Sequence, residues 1–281
     1  MTASDKAIRE AVRQHYAQHA RAASSCCGPQ ASSCCGPATA EAVAQSIGYS
    51  PEELSDLPDE AISTLGCGNP LAFAGVQPGD VVLDLGSGPG MDCILAARKV
   101  GEGGRVIGLD MTPEMIERAR ENTRRAGVDH LVEFRLGEIE DMPVDDASVD
   151  WIISNCVINL SPDKAQVFRE AYRVLRPGGR LLVSDIVASN LPEAVRRDLS
   201  AWAECVAGAM EESEYLDTIR AAGFTEIAIV ERVDAGTLEV GSPQAVAEAY
   251  QGADSAKRLP VIGNPPKVYS VRVSAVKPAD A

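Results

Sequence analysis

Basic residues are in short supply in this 281-residue chain. There are 26 Lys and Arg against 41 Asp and Glu, a formal net charge of −15. No dense Lys/Arg run offsets that balance, which argues against bulk attraction to nucleic acid or to an anionic membrane. No uninterrupted apolar stretch reaches membrane-spanning length. The start, Met1 to Lys6, carries no hydrophobic signal core, so a cytoplasmic location is expected. Histidine is limited to His15, His19 and His130, which leaves little for histidine-based proton transfer. A phosphate loop of the form G-x-x-x-x-G-K-[ST] is absent, and the dinucleotide fingerprint G-x-G-x-x-G is broken at its last position. Otherwise the composition, 45% hydrophobic and 24% charged, is ordinary for a globular protein with one α/β domain and attachments.

What is present centres on residues 81–90. The apolar run Val81 to Leu85 reads as a buried strand, Gly86-Ser87-Gly88-Pro89-Gly90 as a turn, and Met91 to Val100 as a helix. Glycines there permit a sharp strand-to-helix turn and let a ligand touch the backbone. The turn delivers that ligand to a helix N-terminus, outside the carboxyl end of a parallel sheet. Asp84 would repel a pyrophosphate and suits a ligand with a cationic group. Asp110 ends the next apolar run, where an acid can accept both ribose hydroxyls. This D-x-G-x-G-x-G form with a downstream acid resembles the class I S-adenosylmethionine-dependent methyltransferases.

The rest of the chain fits that frame. Residues 5–20 form an expected amphipathic helix, with Ile8, Val12 and Tyr16 on one face. A repeat follows, Ser24-Ser25-Cys26-Cys27-Gly28-Pro29 and Ser32-Ser33-Cys34-Cys35-Gly36-Pro37, read as a loop or mobile arm. Short helices are expected at 39–47 and 58–64. Strands at 81–85, 105–109, 131–135, 149–153 and 180–186 alternate with helices at 91–100, 113–126 and 163–175. Helices at 192–208 and 213–222 and strands at 225–232 and 267–274 complete the pattern. The expectation is a doubly wound, mostly parallel Rossmann-like α/β sheet over residues 71–281, preceded by a helical, cysteine-rich arm over 1–70.

The strand carboxyl ends form the working face. Asp84 with Gly86, Ser87, Gly88 and Gly90 is assigned to the methionine moiety and backbone contacts. Asp110 and Met111 are assigned to the ribose, and Glu138 and Ile139 to the adenine. Asn155 completes the cofactor set, and Cys156 beside it faces the transferred methyl. Many N-methyltransferases place Asn/Asp-Pro-Pro-aromatic there; this chain has Asn155-Cys156-Val157-Ile158. A thiolate is a soft ligand and nucleophile. Cys205, on the expected helix 192–208, and Cys67, in the turn Gly66-Cys67-Gly68, are placed over the same face. Three thiolates there make a trigonal sulfur pocket suited to trivalent arsenic, whose lone pair stays free. Cys93, one turn into its helix, is read as structural.

Gly66-Cys67-Gly68, Asp92-Cys93, Gly108 to Thr112, Ser154 to Lys164 and Glu204-Cys205 together resemble the arsenite S-adenosylmethionine methyltransferases. The resemblance runs from about Ile8 to Phe224, and 154–164 is its most specific part. It implies that Cys67, Cys156 and Cys205 bind arsenic and that Asp84, the glycine loop and Asp110 hold S-adenosyl-L-methionine. It also implies an N-terminal partner for Cys67, for which Cys26, Cys27, Cys34 and Cys35 are all candidates. Arsenite or its glutathione conjugate is the implied substrate, with glutathione or thioredoxin as thiol reductant. Two rival readings stand beside it. A quinone- or sterol-type carbon methyltransferase leaves Cys67 and Cys205 without a role. A metalloid-sequestering protein with a vestigial cofactor fold leaves the intact glycine loop unexplained.

Overall fold

The computed structural model describes residues 3–21, 39–63, 65–234 and 266–280. The Cys-Cys-Gly-Pro repeats, and with them Cys26, Cys27, Cys34 and Cys35, lie outside the described residues. Within those bounds the centre is a seven-stranded sheet of order β3-β2-β1-β4-β5-β7-β6. The strands are β1 (Val81–Leu85), β2 (Arg105–Asp110), β3 (Val132–Leu136), β4 (Val149–Asn155), β5 (Leu175–Ser189), β6 (Thr225–Asp234) and β7 (Lys267–Val276). β1 to β5 run parallel. β7 inserts antiparallel between β5 and β6. The strand order reverses at β1 and β4, which is where an open α/β sheet opens a crevice.

The helices are α1 (Ala3–Arg21), α2 (Ala40–Ser46), α3 (Pro51–Ser55), α4 (Met91–Val100), α5 (Pro113–Arg125), α6 (Lys164–Val174), α7 (Glu193–Arg196), α8 (Leu199–Ala203) and α9 (Glu212–Ala221). Two cores cover the sheet because its strands alternate. Val82, Val106 and Ile153 pack with Ile94, Ala97, Ile116 and Ala119 of α4 and α5, and with Tyr49 and Leu54 before the sheet. Leu83, Leu85, Ile107 and Leu109 pack with Phe168 and Ala171 of α6 and with Tyr215 and Ile219 of α9. Such residues are buried on both faces, hence the continuous apolar runs of the sequence. Among the described residues, no helix is long and apolar enough to cross a membrane.

Three sequence expectations are corrected. The expected helix 58–64 is a single 3-10 turn, Asp59–Ala61. The helix in that region is α3, set by a capping box in which Ser50 and Glu53 bond each other's backbone N–H. The expected strand 180–186 is longer, because β5 begins at Leu175 and runs through Pro177-Gly178-Gly179. The expected helix 192–208 is broken. Asp198 restarts the chain as α8 by accepting a bond from the Ser200 N–H at 2.8 Å, and α8 ends at Ala203. Cys205 therefore sits in a turn, not on a helix, with φ +63.

Candidate active site

The turn after β1 is built as its glycines require. Gly86, Gly88 and Gly90 have φ of +67, +51 and +91, a region that costs a side chain roughly 1–2 kcal/mol. Gly86 is also a close-approach point, because a Cβ there would overlap Val157, the residue after Cys156. Gly90 caps α4 and lies 3.3 Å, by a virtual Cβ, from Ala119 of α5. It turns the chain and packs two helices; it is not part of the cavity wall.

A cleft of about 1010 Å3, open mouth included, lies over this turn. Asp84, Gly86, Ser87, Gly88, Asp110, Met111, Ile139, Asn155 and Cys156 line it. Glu138 does not; its carboxylate, 46% exposed, faces Arg9 at 3.6 Å. Asp110 is held open by backbone donors: Gly88 N at 3.0 Å and Thr112 N at 2.8 Å. Burial pushes its carboxyl up, and these N–H bonds oppose the shift. Burial also raises Asp84 well above the carboxylate range, and neighbouring Asp92 adds to it. Asp92 itself is raised to about 6 by burial.

A cationic, ribose-bearing cofactor fits this cleft. Three buried carboxyls crowd one another here, a cost that a cation relieves. The Ser87 hydroxyl is buried without a protein partner, although it lines the cleft. Such an orphan is unusual unless a ligand satisfies it.

The thiols meet at the far wall. Cys67, Cys156 and Cys205 are 2%, 4% and 4% exposed and belong to one cluster with Ile8, Val12 and Leu160. The neighbouring Cys205 and Cys67 thiols, together with burial, push the Cys156 thiol well above its usual range. Burial likewise raises Cys67. Cys205 Sγ donates to the Cys156 carbonyl at 2.8 Å. All three are free thiols.

Each thiol is delivered by a different device. Asn155, at the end of β4, accepts bonds from the N–H groups of Cys67 (3.0 Å) and Gly68 (3.3 Å) and donates to Gly68 O at 2.6 Å. Gly66 and Gly68 allow that approach; virtual Cβ atoms would lie 2.6 Å from Asn155 and 2.7 Å from Ser184. Cys156 leaves β4 with φ +61, its N–H bonded to Ser184 O at 2.7 Å. Cys205 hangs from the end of α8. Cys93 stands apart from the triad: its Sγ donates to Asp84 Oδ2 at 3.2 Å.

Sequence reading missed several residues here. Arg9 and Tyr16 of α1 line the cleft, and Tyr16 packs against the cluster that holds the three thiols. Arg9 is anchored by Glu140 at 2.8 Å. Tyr49 donates to Asp92 at 2.7 Å. The Ile8, Val12 and Tyr16 spacing was the available signal for α1, but periodicity does not say what the stripe covers.

Fold and cleft together define a class I S-adenosylmethionine-dependent methyltransferase, and residues 77–223 match a methyltransferase domain model. The relatives narrow the class. An arsenite methyltransferase of Halobacterium salinarum is 46% identical over 79% of this chain and 58% of its own. One from Aquipseudomonas alcaligenes is 43% identical over 62% of this chain and 52% of its own. The crystal structure of CrArsM, an arsenic(III) S-adenosylmethionine methyltransferase from Chlamydomonas reinhardtii, superposes with TM-score 0.61 and 34% identity, covering 83% of this chain and 72% of that one. The chain belongs to the arsenite methyltransferase family. It spans 58% and 52% of the two curated relatives' own lengths.

Proposed function

We propose that this protein transfers methyl groups from S-adenosyl-L-methionine to trivalent arsenic held by the thiols of Cys67, Cys156 and Cys205. The observation that carries the reading is the meeting of three free, buried thiols from three separate segments, with Cys156 also lining the cofactor cleft. Packing alone gives no reason for two of them to adopt positive φ. Arsenite, or its glutathione conjugate, exchanges its oxygen or sulfur ligands for these thiols. From arsenite, each As–O bond that breaks takes up one thiol proton and leaves as water while an As–S bond forms, so no separate base is needed.

The bound cofactor supplies an electrophilic methyl on a sulfonium. Asp84 and Asp110 hold it, and the glycine loop lets its backbone approach. Cys156 sets the arsenic lone pair towards the cleft. Catalysis on this reading is positioning with water excluded. A thiol reductant, glutathione or thioredoxin, keeps the cysteines reduced, which suits the reducing cytoplasm. α1 and the Gly66-Cys67-Gly68 turn act as working parts of the site, since they contribute Arg9, Tyr16 and Cys67.

The test is incubation of purified protein with methyl-labelled S-adenosylmethionine, arsenite and thiol reductant, with products resolved by mass. Methylarsenicals are expected. Tight arsenite binding without transfer would point to sequestration, and neither binding nor transfer to a carbon substrate.

A further inference from the structure

One buried cation behind the thiols has no part in the chemistry above. Lys164, the first residue of α6, is 7% exposed. Its ammonium donates to Ser161 O at 2.9 Å and to Asn159 O at 3.4 Å. It also lies 5.4 Å from the centre of the Trp202 ring. These partners belong to two different segments.

The carbonyls belong to the turn that follows Cys156. That turn is tied to β5 on its other side: Asn159 N donates to Asp185 Oδ2 at 3.1 Å and Asn159 Nδ2 to Ile186 O at 2.6 Å. The indole stands at the end of α8, the helix from which the Cys205 turn hangs. Cys205 N donates to Trp202 O at 3.0 Å, and Trp202 Nε1 donates to Arg196 O at 2.9 Å. The two turns also press together at Gly208, where a Cβ would overlap the Asn159 carbonyl and lie 2.7 Å from the Trp202 ring. So one ammonium grips the Cys156 turn by two carbonyls and the Cys205 turn by a ring face, a contact that strengthens when it is desolvated.

We propose that Lys164 is the positioning residue that locks the Cys156 and Cys205 turns together and so sets the affinity of the thiol site for trivalent arsenic. The proposal rests on the arsenite reading above. Both cysteines hold positive φ, a conformation that persists only where the surroundings over-determine it. Chelation by linked thiols gains affinity only while the geometry permits simultaneous bonds. Loosening the shared tether lets either turn relax to ordinary φ, and the second As–S bond is lost before the first. An apolar side chain of similar length fills the space but grips neither carbonyl.

The experiment uses reduced full-length protein, with arsenite bound at equilibrium measured by dialysis and S-adenosylhomocysteine affinity by calorimetry. K164M should bind arsenite at least tenfold more weakly, hold S-adenosylhomocysteine within twofold of wild type, and be partly rescued in K164R. If K164M does not fold, W202L carries the test. It removes the ring and leaves the lysine, and should weaken arsenite binding at least threefold with S-adenosylhomocysteine unchanged. Wild-type arsenite affinity in K164M, or in W202L where it stands in, overturns the positioning role. So does a parallel loss of both ligands with a lowered Tm, which marks a general scaffold residue. Failure of the wild type itself to bind arsenite overturns the arsenite reading, and this inference with it.

Discussion

The two sides of the cleft use the same backbone conformation and fill it differently. On the cofactor side, φ values of +67, +51 and +91 fall on Gly86, Gly88 and Gly90. On the thiol side, +61 and +63 fall on Cys156 and Cys205. Glycine adopts this region freely, whereas a residue with a Cβ is strained by roughly 1–2 kcal/mol. The difference follows from what each side presents. On the proposed function the loop after β1 offers its backbone to the cofactor, so the best side chain is none. On the same proposal the thiol turns offer a side chain, so the strain is tolerated and held by surrounding bonds. Strain of this kind marks sites where the side chain's position matters more than local comfort.

The largest expected effect tests the functional half of that contrast. Cys156→Ser removes the soft ligand and keeps a polar atom of similar shape. Methylarsenical formation should fall to background, while S-adenosylhomocysteine affinity, measured by calorimetry, stays within about twofold. Substantial methylation by the variant would mean that Cys156 is strained for some other reason.

Next in size is Gly86→Ala. The new Cβ meets φ +67 and overlaps Val157, so two penalties coincide. Destabilisation of about 2–4 kcal/mol is expected, read as a lowered midpoint in urea, together with weaker cofactor binding. A neutral result would show that the cofactor loop and the Cys156 turn are not packed as tightly as the contact implies.

The strain itself is tested by comparing Cys156→Gly with Cys156→Ala. Both lose the thiol, so both should be inactive, and only the alanine keeps the strain. The glycine variant should be more stable by about 1 kcal/mol in thermal or urea unfolding, even after its greater unfolded-chain entropy is counted against it. Equal stabilities would remove the premise that the thiol turns store strain.

These contrasts also explain what could be read in advance. The run Val81 to Leu85, the glycine turn and α4 were legible because burial on both faces and left-handed turns leave strong local marks. Cys67, Cys156 and Cys205 were expected over one face from the strand ends, and the resemblance named the same three; the structure gathers them in one cluster. Their geometry was not legible, since nothing local in Ala203-Glu204-Cys205 announces a positive φ. Asp198 breaks the expected helix 192–208 by capping α8, and the close approach of Gly208 to Asn159 is a tertiary fact that no local pattern announces. The antiparallel β7 was likewise hidden, because strand direction depends on the pairing partner. Arg9 and Tyr16 could be placed on a helix but not over a cleft whose residues lie about 100 positions onward.

The smallest expected effect is of pH, and it differs between the two sides. Burial raises Asp92 to about 6, and Asp84 and Asp110 are raised as well. Asp92, raised to about 6, is mostly protonated at pH 5 and gains its charge as pH rises through that value. The cationic S-adenosylmethionine binds the charged form better than the neutral-sulfur S-adenosylhomocysteine does. The ratio of their affinities should therefore grow by about three- to tenfold between pH 5 and 7.5. Arsenite loading should behave otherwise. Each thiol proton leaves with a departing oxygen as water, so no net proton is exchanged. Because burial keeps Cys67 protonated, and thiol contacts with burial keep Cys156 so, arsenite affinity should stay flat over the same range. Parallel pH profiles for the two ligands, measured in one buffer series by calorimetry and dialysis, would show that the carboxyl and thiol sides are not electrostatically distinct.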